Sequence, residues 1–253
     1  MTTRNLSKYG WRRQIPDIRD YQFTVSGPAV TYPTTFDPRS KSWGVYDQLT
    51  IGSCVDNAGL SAYRQLLIQE NLPDFNGSRL ANYYWARYLE GTTKTDSGST
   101  IRDGVKVMVA RGIAPETAWP YNVSKVFVGP PAAVGTVAKK HLALQYQAVS
   151  LTQDSICQAI YKNGNVLIGI SVYSSFESAS VAKTGIVPLP AKTEQLLGGH
   201  CLHAIGWDLS KGWAIVKNSW GTSWGDHGYC YIPFQYLLNT SLASDFWTIS
   251  KGS

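Results

Sequence analysis

Lys217-Asn218-Ser219-Trp220-Gly221-Thr222-Ser223-Trp224-Gly225-Asp226-His227-Gly228-Tyr229 is the most distinctive stretch of the chain. It leaves a predicted strand, Trp213 to Lys217. A second predicted strand, Cys201 to Trp207, lies just upstream and is entered through Gly198-Gly199-His200. A histidine that faces a thiol with one ring nitrogen needs an acceptor on the other. The side-chain oxygen of Asn218 can accept that hydrogen bond and fix the ring of His200.

Working back along the chain, the thiol to match is Cys54. Ser53 to Asn71 reads as a helix, with Val55, Ala58, Ala62 and Leu66 on one face at steps of three and four. Ser53 is placed as N-cap, with Asp56 three residues on in the manner of a capping box. Cys54 then stands at the start of a helix, where free backbone N–H groups and the helix dipole favour a thiolate. Asp56, one turn in, opposes it. Alone, a cysteine there reads as a small buried side chain. Gln48, six residues earlier, changes that reading. Its amide, with the Cys54 N–H, could form an oxyanion hole.

The remaining chain fits a globular protein. It has 253 residues, 43% of them hydrophobic and 16% charged, and nine Trp that would build a core or line a cleft. Net charge is +6, but the basic residues are scattered, so neither nucleic acid nor membrane is an expected partner. No apolar run reaches the length of a membrane helix, and Met1 to Arg13 lacks the apolar core of a secretory leader. A location in the cytoplasm or a virion is compatible with that start. Cys54, Cys157, Cys201 and Cys230 form no CxxC pair, so no metal site or cofactor is expected. If Cys54 is a thiolate, at least one of the other three is free or paired between chains.

Further helices are expected near Arg79 to Leu89, Ile101 to Ala110 and Ser155 to Lys162, with Gly112 a natural stop. Val123 to Val137 reads as strands and connectors. A strand follows at Val166 to Val172, and Lys183 to Gly199 reads as a long surface loop. The first half leans helical and the second β, which suggests two lobes with a cleft between. Residues 1 to about 35 are aperiodic and Pro-punctuated, an extension that lies on a domain. His203, three residues from His200 on the same strand, faces the other way and reads as a core histidine. His227 falls in a solvated turn, and His141 has no partner that can be named.

Gln48, then Gly52-Ser53-Cys54, then Gly199-His200, then Asn218-Ser219-Trp220-Gly221 resemble, in order, the active-site blocks of papain-like cysteine peptidases. Ala118-Trp119-Pro120-Tyr121 and Leu242-Ala243-Ser244-Asp245-Phe246-Trp247 add to the likeness, which covers roughly residues 36 to 250. It implies an α+β, two-lobe papain-like fold, with a helical lobe about 44–122, a β-barrel-like lobe about 123–235, and a C-terminal segment that crosses back. It implies Cys54 as nucleophile, His200 as base and acid, Asn218 as orienter and Gln48 as oxyanion donor. Trp220 would shield the Asn218–His200 bond and Trp224 would support it. Gly98 and Ser99 would pair with the substrate backbone. Gly199 would leave the second subsite roomy, for a bulky or apolar side chain.

The pattern departs from plant and lysosomal members. Ile51 and Val55 stand where those carry Cys and Trp, so their left-lobe disulfides are not expected, nor is their long helical propeptide. It is closer to the bacterial and viral branch. The resemblance implies an endopeptidase, monomeric by preference, that takes peptide or protein substrates and is held as a zymogen if residues 1–35 cover the cleft. An acyltransferase on the same fold and a silent binding homologue are the alternatives. Arg12-Arg13 is a candidate cut position in the extension.

Overall fold

The computed structural model describes residues 9–24, 31–141 and 144–251. Arg4, Lys8 and the Gly27-Pro28 step of the extension lie outside the described residues.

Three helices come first: α1 (Cys54–Gln69), α2 (Arg79–Leu89) and α3 (Ile101–Arg111). α2 is capped by Ser78, whose Oγ accepts from the Ala81 amide at 3.1 Å. α3 is capped by Thr100, whose Oγ1 accepts from the Asp103 amide at 3.1 Å. It stops at Gly112, where φ is 81°, the left-handed region that glycine tolerates. The capping box expected at Ser53 does not form. The Ser53 hydroxyl instead pairs with the Tyr121 hydroxyl at 2.6 Å and accepts from Asn57 Nδ2 at 2.9 Å. The predicted stripe Val55, Ala58, Ala62 and Leu66 is buried, but so are Asp56, Asn57, Leu60 and Ser61. A helix buried on every side has neighbours on every side, and α1 lies between α2, α3 and the sheet.

Residues 123–137 hold no strand. They form a short 3-10 turn, Val123–Lys125, and a helix, α4 (Ala132–Ala138). Pro131 at the helix entrance and the alanines behind it outweigh the β preference of the scattered valines. Four more helical pieces follow or interleave with strands: α5 (Gln153–Asn163), the 3-10 turn Ser174–Glu177, α6 (Ala179–Thr184) and α7 (Phe234–Leu237).

Among the described residues, seven strands make one antiparallel sheet: β1 (Thr35–Phe36), β2 (Leu144–Ala148), β3 (Val166–Tyr173), β4 (Leu196–Asp208), β5 (Trp213–Lys217), β6 (Tyr229–Pro233) and β7 (Ala243–Lys251). The order is β2-β7-β3-β4-β5-β6, with β1 on β4, and the sheet is open rather than a closed barrel. The expected loop 183–199 is shorter than its composition suggests, because β4 begins at Leu196 and runs through Gly198 and Gly199. Trp207 and Trp247 are fully buried, as the Trp count suggested. One apolar cluster joins α1 and α3 to the sheet through Leu167, Cys201 and Trp247, with Cys54 among its members. Another lies under β3 to β6 and contains Phe176, Trp207, Trp220 and Trp224.

Register positions the site. His200 stands opposite Ile170 of β3, and His203 opposite Lys217 of β5. The residue after Lys217 is Asn218, so the antiparallel ladder brings it beside the start of β4.

Candidate active site

Cys54 is the first residue of α1 and is fully buried. Its Sγ accepts from the Cys201 amide at 3.4 Å, across the boundary between helix and sheet. Burial pushes the thiol up to about 12. The amides of Cys201, Gly10 and Val55 pull it back down, and the carboxyl of Asp56 adds to the rise. Asp56 is itself buried and pushed up to about 7, with Asn82 Nδ2 donating to its Oδ1 at 2.7 Å.

His200 Nε2 lies 2.8 Å from Asn218 Oδ1. That oxygen also accepts from the Ser219 amide at 2.8 Å, which identifies the atom as oxygen rather than nitrogen. Nε2 is therefore the donor, and in the neutral ring Nδ1 carries the lone pair. Trp220 stacks on the imidazole with ring centroids 4.8 Å apart, and Trp224 meets Trp220 edge-on at 5.1 Å. His203 points into the core. Its Nδ1 sits 3.0 Å from the Ser61 hydroxyl, and burial holds its pKa well below the usual range. His227 is exposed in its turn, while His141 stacks on Phe75 at 3.9 Å.

Gln48 is buried, and both ends of its amide are held. Nε2 donates to Ile51 O at 3.0 Å, and Oε1 accepts from the Ser219 hydroxyl at 2.7 Å. Ser219 thus ties Gln48 to Asn218. Sequence reasoning quoted Ser219 without giving it this role. The fixed spacing Asn218-Ser219 was the only signal for it.

The expected substrate-contact residues meet the chain's own N-terminal segment. Trp11 N–H donates to Gly199 O at 3.1 Å, Ser99 N–H donates to Gly10 O at 2.8 Å, and Arg12 N–H donates to Ser99 O at 3.1 Å. Trp11 and Ser99 form a parallel bridge. A Cβ on Gly98 would lie 1.9 Å from Gly10 O, and one on Gly199 would lie 2.3 Å from Trp11 O, so both glycines admit a close backbone. The Trp11 indole is buried over Gly169 and donates to Asp245 Oδ2 at 3.2 Å. Tyr9 approaches the His200 ring edge-on at 6.0 Å. Arg12 pairs with Glu90, and Asp20 with Arg102. Sequence reading missed Trp11 and Asp245 as partners because 234 positions separate them.

The family model for papain family cysteine proteases matches residues 32–244. The chain belongs to the papain family. As a papain-family cysteine peptidase it is similar to a peptidase C1-like protein of Acanthamoeba polyphaga mimivirus, at 35% identity over 99% of this chain and 89% of that protein. It is also similar to xylellain, a cysteine protease from Xylella fastidiosa, with a TM-score of 0.92 and 32% identity over 100% of this chain and 99% of that one. A Carica candamarcensis cysteine protease shares the fold, with a TM-score of 0.65 at 20% identity over 88% of this chain and 100% of that one. The first two of these are a viral and a bacterial protein, in keeping with the branch read from Ile51 and Val55. All four cysteines of this family member are free.

Proposed function

We propose that the chain is a cysteine endopeptidase that acts through a thioester on Cys54 and is gated by its own N-terminal segment. His200 Nδ1 takes the Cys54 proton, and the thiolate attacks the peptide carbonyl carbon. The Gln48 amide and the Cys54 N–H stabilise the oxygen charge of the tetrahedral species. Its collapse breaks the C–N bond as His200 returns the proton to the leaving amine. Water, deprotonated by His200, then cleaves the thioester. Asn218 holds the ring throughout, and Trp220 keeps water from the Asn218–His200 bond. Gly98, Ser99 and Gly199 pair with the peptide.

The observation that supports gating is the path of Gly10-Trp11-Arg12. These residues take the hydrogen bonds of Ser99 and Gly199, and Gly10 turns an amide rather than a carbonyl toward the Cys54 sulfur. A sulfur facing an N–H has no electrophile to attack, so the segment blocks the site without being cut by it. The experiment compares the full chain with a chain lacking residues 1–13 on a small peptide substrate, each with and without Cys54→Ala. Faster turnover by the shorter chain, abolished by Cys54→Ala, is expected. Equal rates would remove the gating. Turnover that survives Cys54→Ala would remove the thioester.

A further inference from the structure

Two loops meet beside Cys54. One, residues 48–53, leads into α1. The other, residues 96–99, leads toward α3. With every cysteine free, the tie between them is noncovalent. It centres on one carboxylate oxygen. Asp96 Oδ1 accepts from the Gly52 amide at 3.0 Å and from the Tyr83 hydroxyl at 2.6 Å. The Tyr83 oxygen in turn accepts from the Gly98 amide at 3.0 Å. Tyr83 is fully buried on α2, with the Arg87 guanidinium 4.0 Å from its ring centroid, so it is a rigid relay.

The Gly52 N–H belongs to the same peptide group as Ile51 C=O. A peptide group is planar, so whatever holds its N–H sets the direction of its carbonyl. That carbonyl is the one that Gln48 Nε2 donates to. Asp96 therefore acts on Gln48 through a single rigid plane. Gly52 suits this arrangement. A Cβ there would come within 3.3 Å of Asp96 Oδ1, the Tyr83 hydroxyl and Gly10 Cα.

We propose that Asp96, with Tyr83, is a positioning residue for catalysis. It fixes the Ile51–Gly52 peptide so that the Gln48 amide is aimed at the substrate oxygen, and it locks the Gly98–Ser99 edge to the same point. This rests on the peptidase reading, with Gln48 as oxyanion donor. Without Asp96 the peptide can rotate, Ile51 O swings away, and Gln48 keeps Ser219 on its Oε1 but loses the partner that holds its Nε2. Without the Tyr83 hydroxyl, Asp96 keeps the Gly52 amide but loses its tie to the substrate-pairing edge.

The test is steady-state kinetics in the full chain carrying Trp11→Ala, which weakens the N-terminal segment in every variant. Losing an oxyanion donor costs about 10²–10³-fold in kcat, so misaiming one through Asp96→Ala should cost about tenfold. Asp96→Asn keeps an oxygen that accepts from both donors and should stay within about threefold of the parent. Tyr83→Phe should raise KM more than it lowers kcat. The deciding arm is Asp96→Ala placed on Gln48→Ala, where its cost in kcat should fall below about twofold. Alkylation of Cys54 by iodoacetamide, which needs no oxyanion hole, should keep its rate throughout. The same loss in both backgrounds, no loss in Asp96→Ala, or no rescue by Asn would overturn the assignment. A parent chain that alkylates at Cys54 but turns over no peptide would overturn the peptidase reading and this role with it.

Discussion

The proposed partners of Cys54 are held in two different ways. His200, Asn218 and Trp220 belong to a corner of the sheet. The ladder with β3 sets the position of His200, while Asn218 and Trp220 follow directly on β5, and every one of them is buried. Beside the site, the described part of the N-terminal segment turns the Gly10 amide toward that sulfur and is held by the isolated Trp11–Ser99 bridge and the buried Trp11 indole, with a second isolated bridge, Gln22 to Ala148, farther along. Between the two bridges, Ile15, Ile18 and Tyr21 stand 84%, 105% and 78% exposed before Phe23 returns to the core. A sheet corner comes apart only with the fold. A segment held by isolated bridges, with an exposed arch between them, can leave while the fold stays. In the gating proposed above, the machinery is permanent and its cover removable.

The hardest way to break this contrast is to remove the base. His200→Ala should lower kcat by about 10⁴-fold or more, as loss of a member of a catalytic unit does. Thermal unfolding should show that the fold remains. A residual rate within about tenfold of the parent would mean that the sheet corner is not the machinery. Trp11→Ala should act in the opposite direction. Truncating a buried tryptophan costs about 3–5 kcal/mol, and here the cost falls on the covered state. Each 1.4 kcal/mol is tenfold, so the open fraction of the full chain should rise about 100-fold or until it saturates. Initial rates on a small peptide measure it. A fall in rate would make Trp11 part of the machinery instead.

The same contrast explains what could be read in the sequence. α2, α3, β3 and β5 were legible because apolar periodicity and caps are local signals. The candidate site, Cys54, His200, Asn218 and Gln48, could be proposed from the sequence because its four separated blocks follow the order of the family they resemble. α4 was not, since scattered valines carry a β signal that a proline and a few alanines reverse only in place. The Ser53 cap failed because Tyr121, 68 residues away, takes the hydroxyl. Trp11 and Asp96 act through partners that no local pattern announces. The path of the extension was an open question in its sequence, because an aperiodic segment is placed by the surface that receives it.

The smallest effect separates the permanent half from its chemistry. Asp56 lies two residues from Cys54 and is buried beside Asn82 and Arg87, yet no step uses it. Burial raises its folded pKa from 3.8 to about 7, the nearby Glu90 carboxyl adds to the rise, and Asn82 and Arg87 offset part of it. A carboxyl raised on folding favours the folded state only when protonated. Its contribution is full below its unfolded value and is lost as pH rises through about 7. Wild type should therefore lose stability between about pH 4 and pH 7 from this group, by a few kcal/mol at most. Asp56→Asn cannot ionise and keeps an oxygen for Asn82 Nδ2. Its melting temperature should match wild type near pH 4 and exceed it by a few degrees at pH 8, since about 1 kcal/mol shifts a domain of this size by about 2–4 °C. With the charge gone, the Cys54 thiol should also ionise more easily, so alkylation at pH 8 in the Trp11→Ala background should quicken modestly. A variant that melts below wild type at pH 8 would mean that Asp56 is paired as a carboxylate and helps hold the corner.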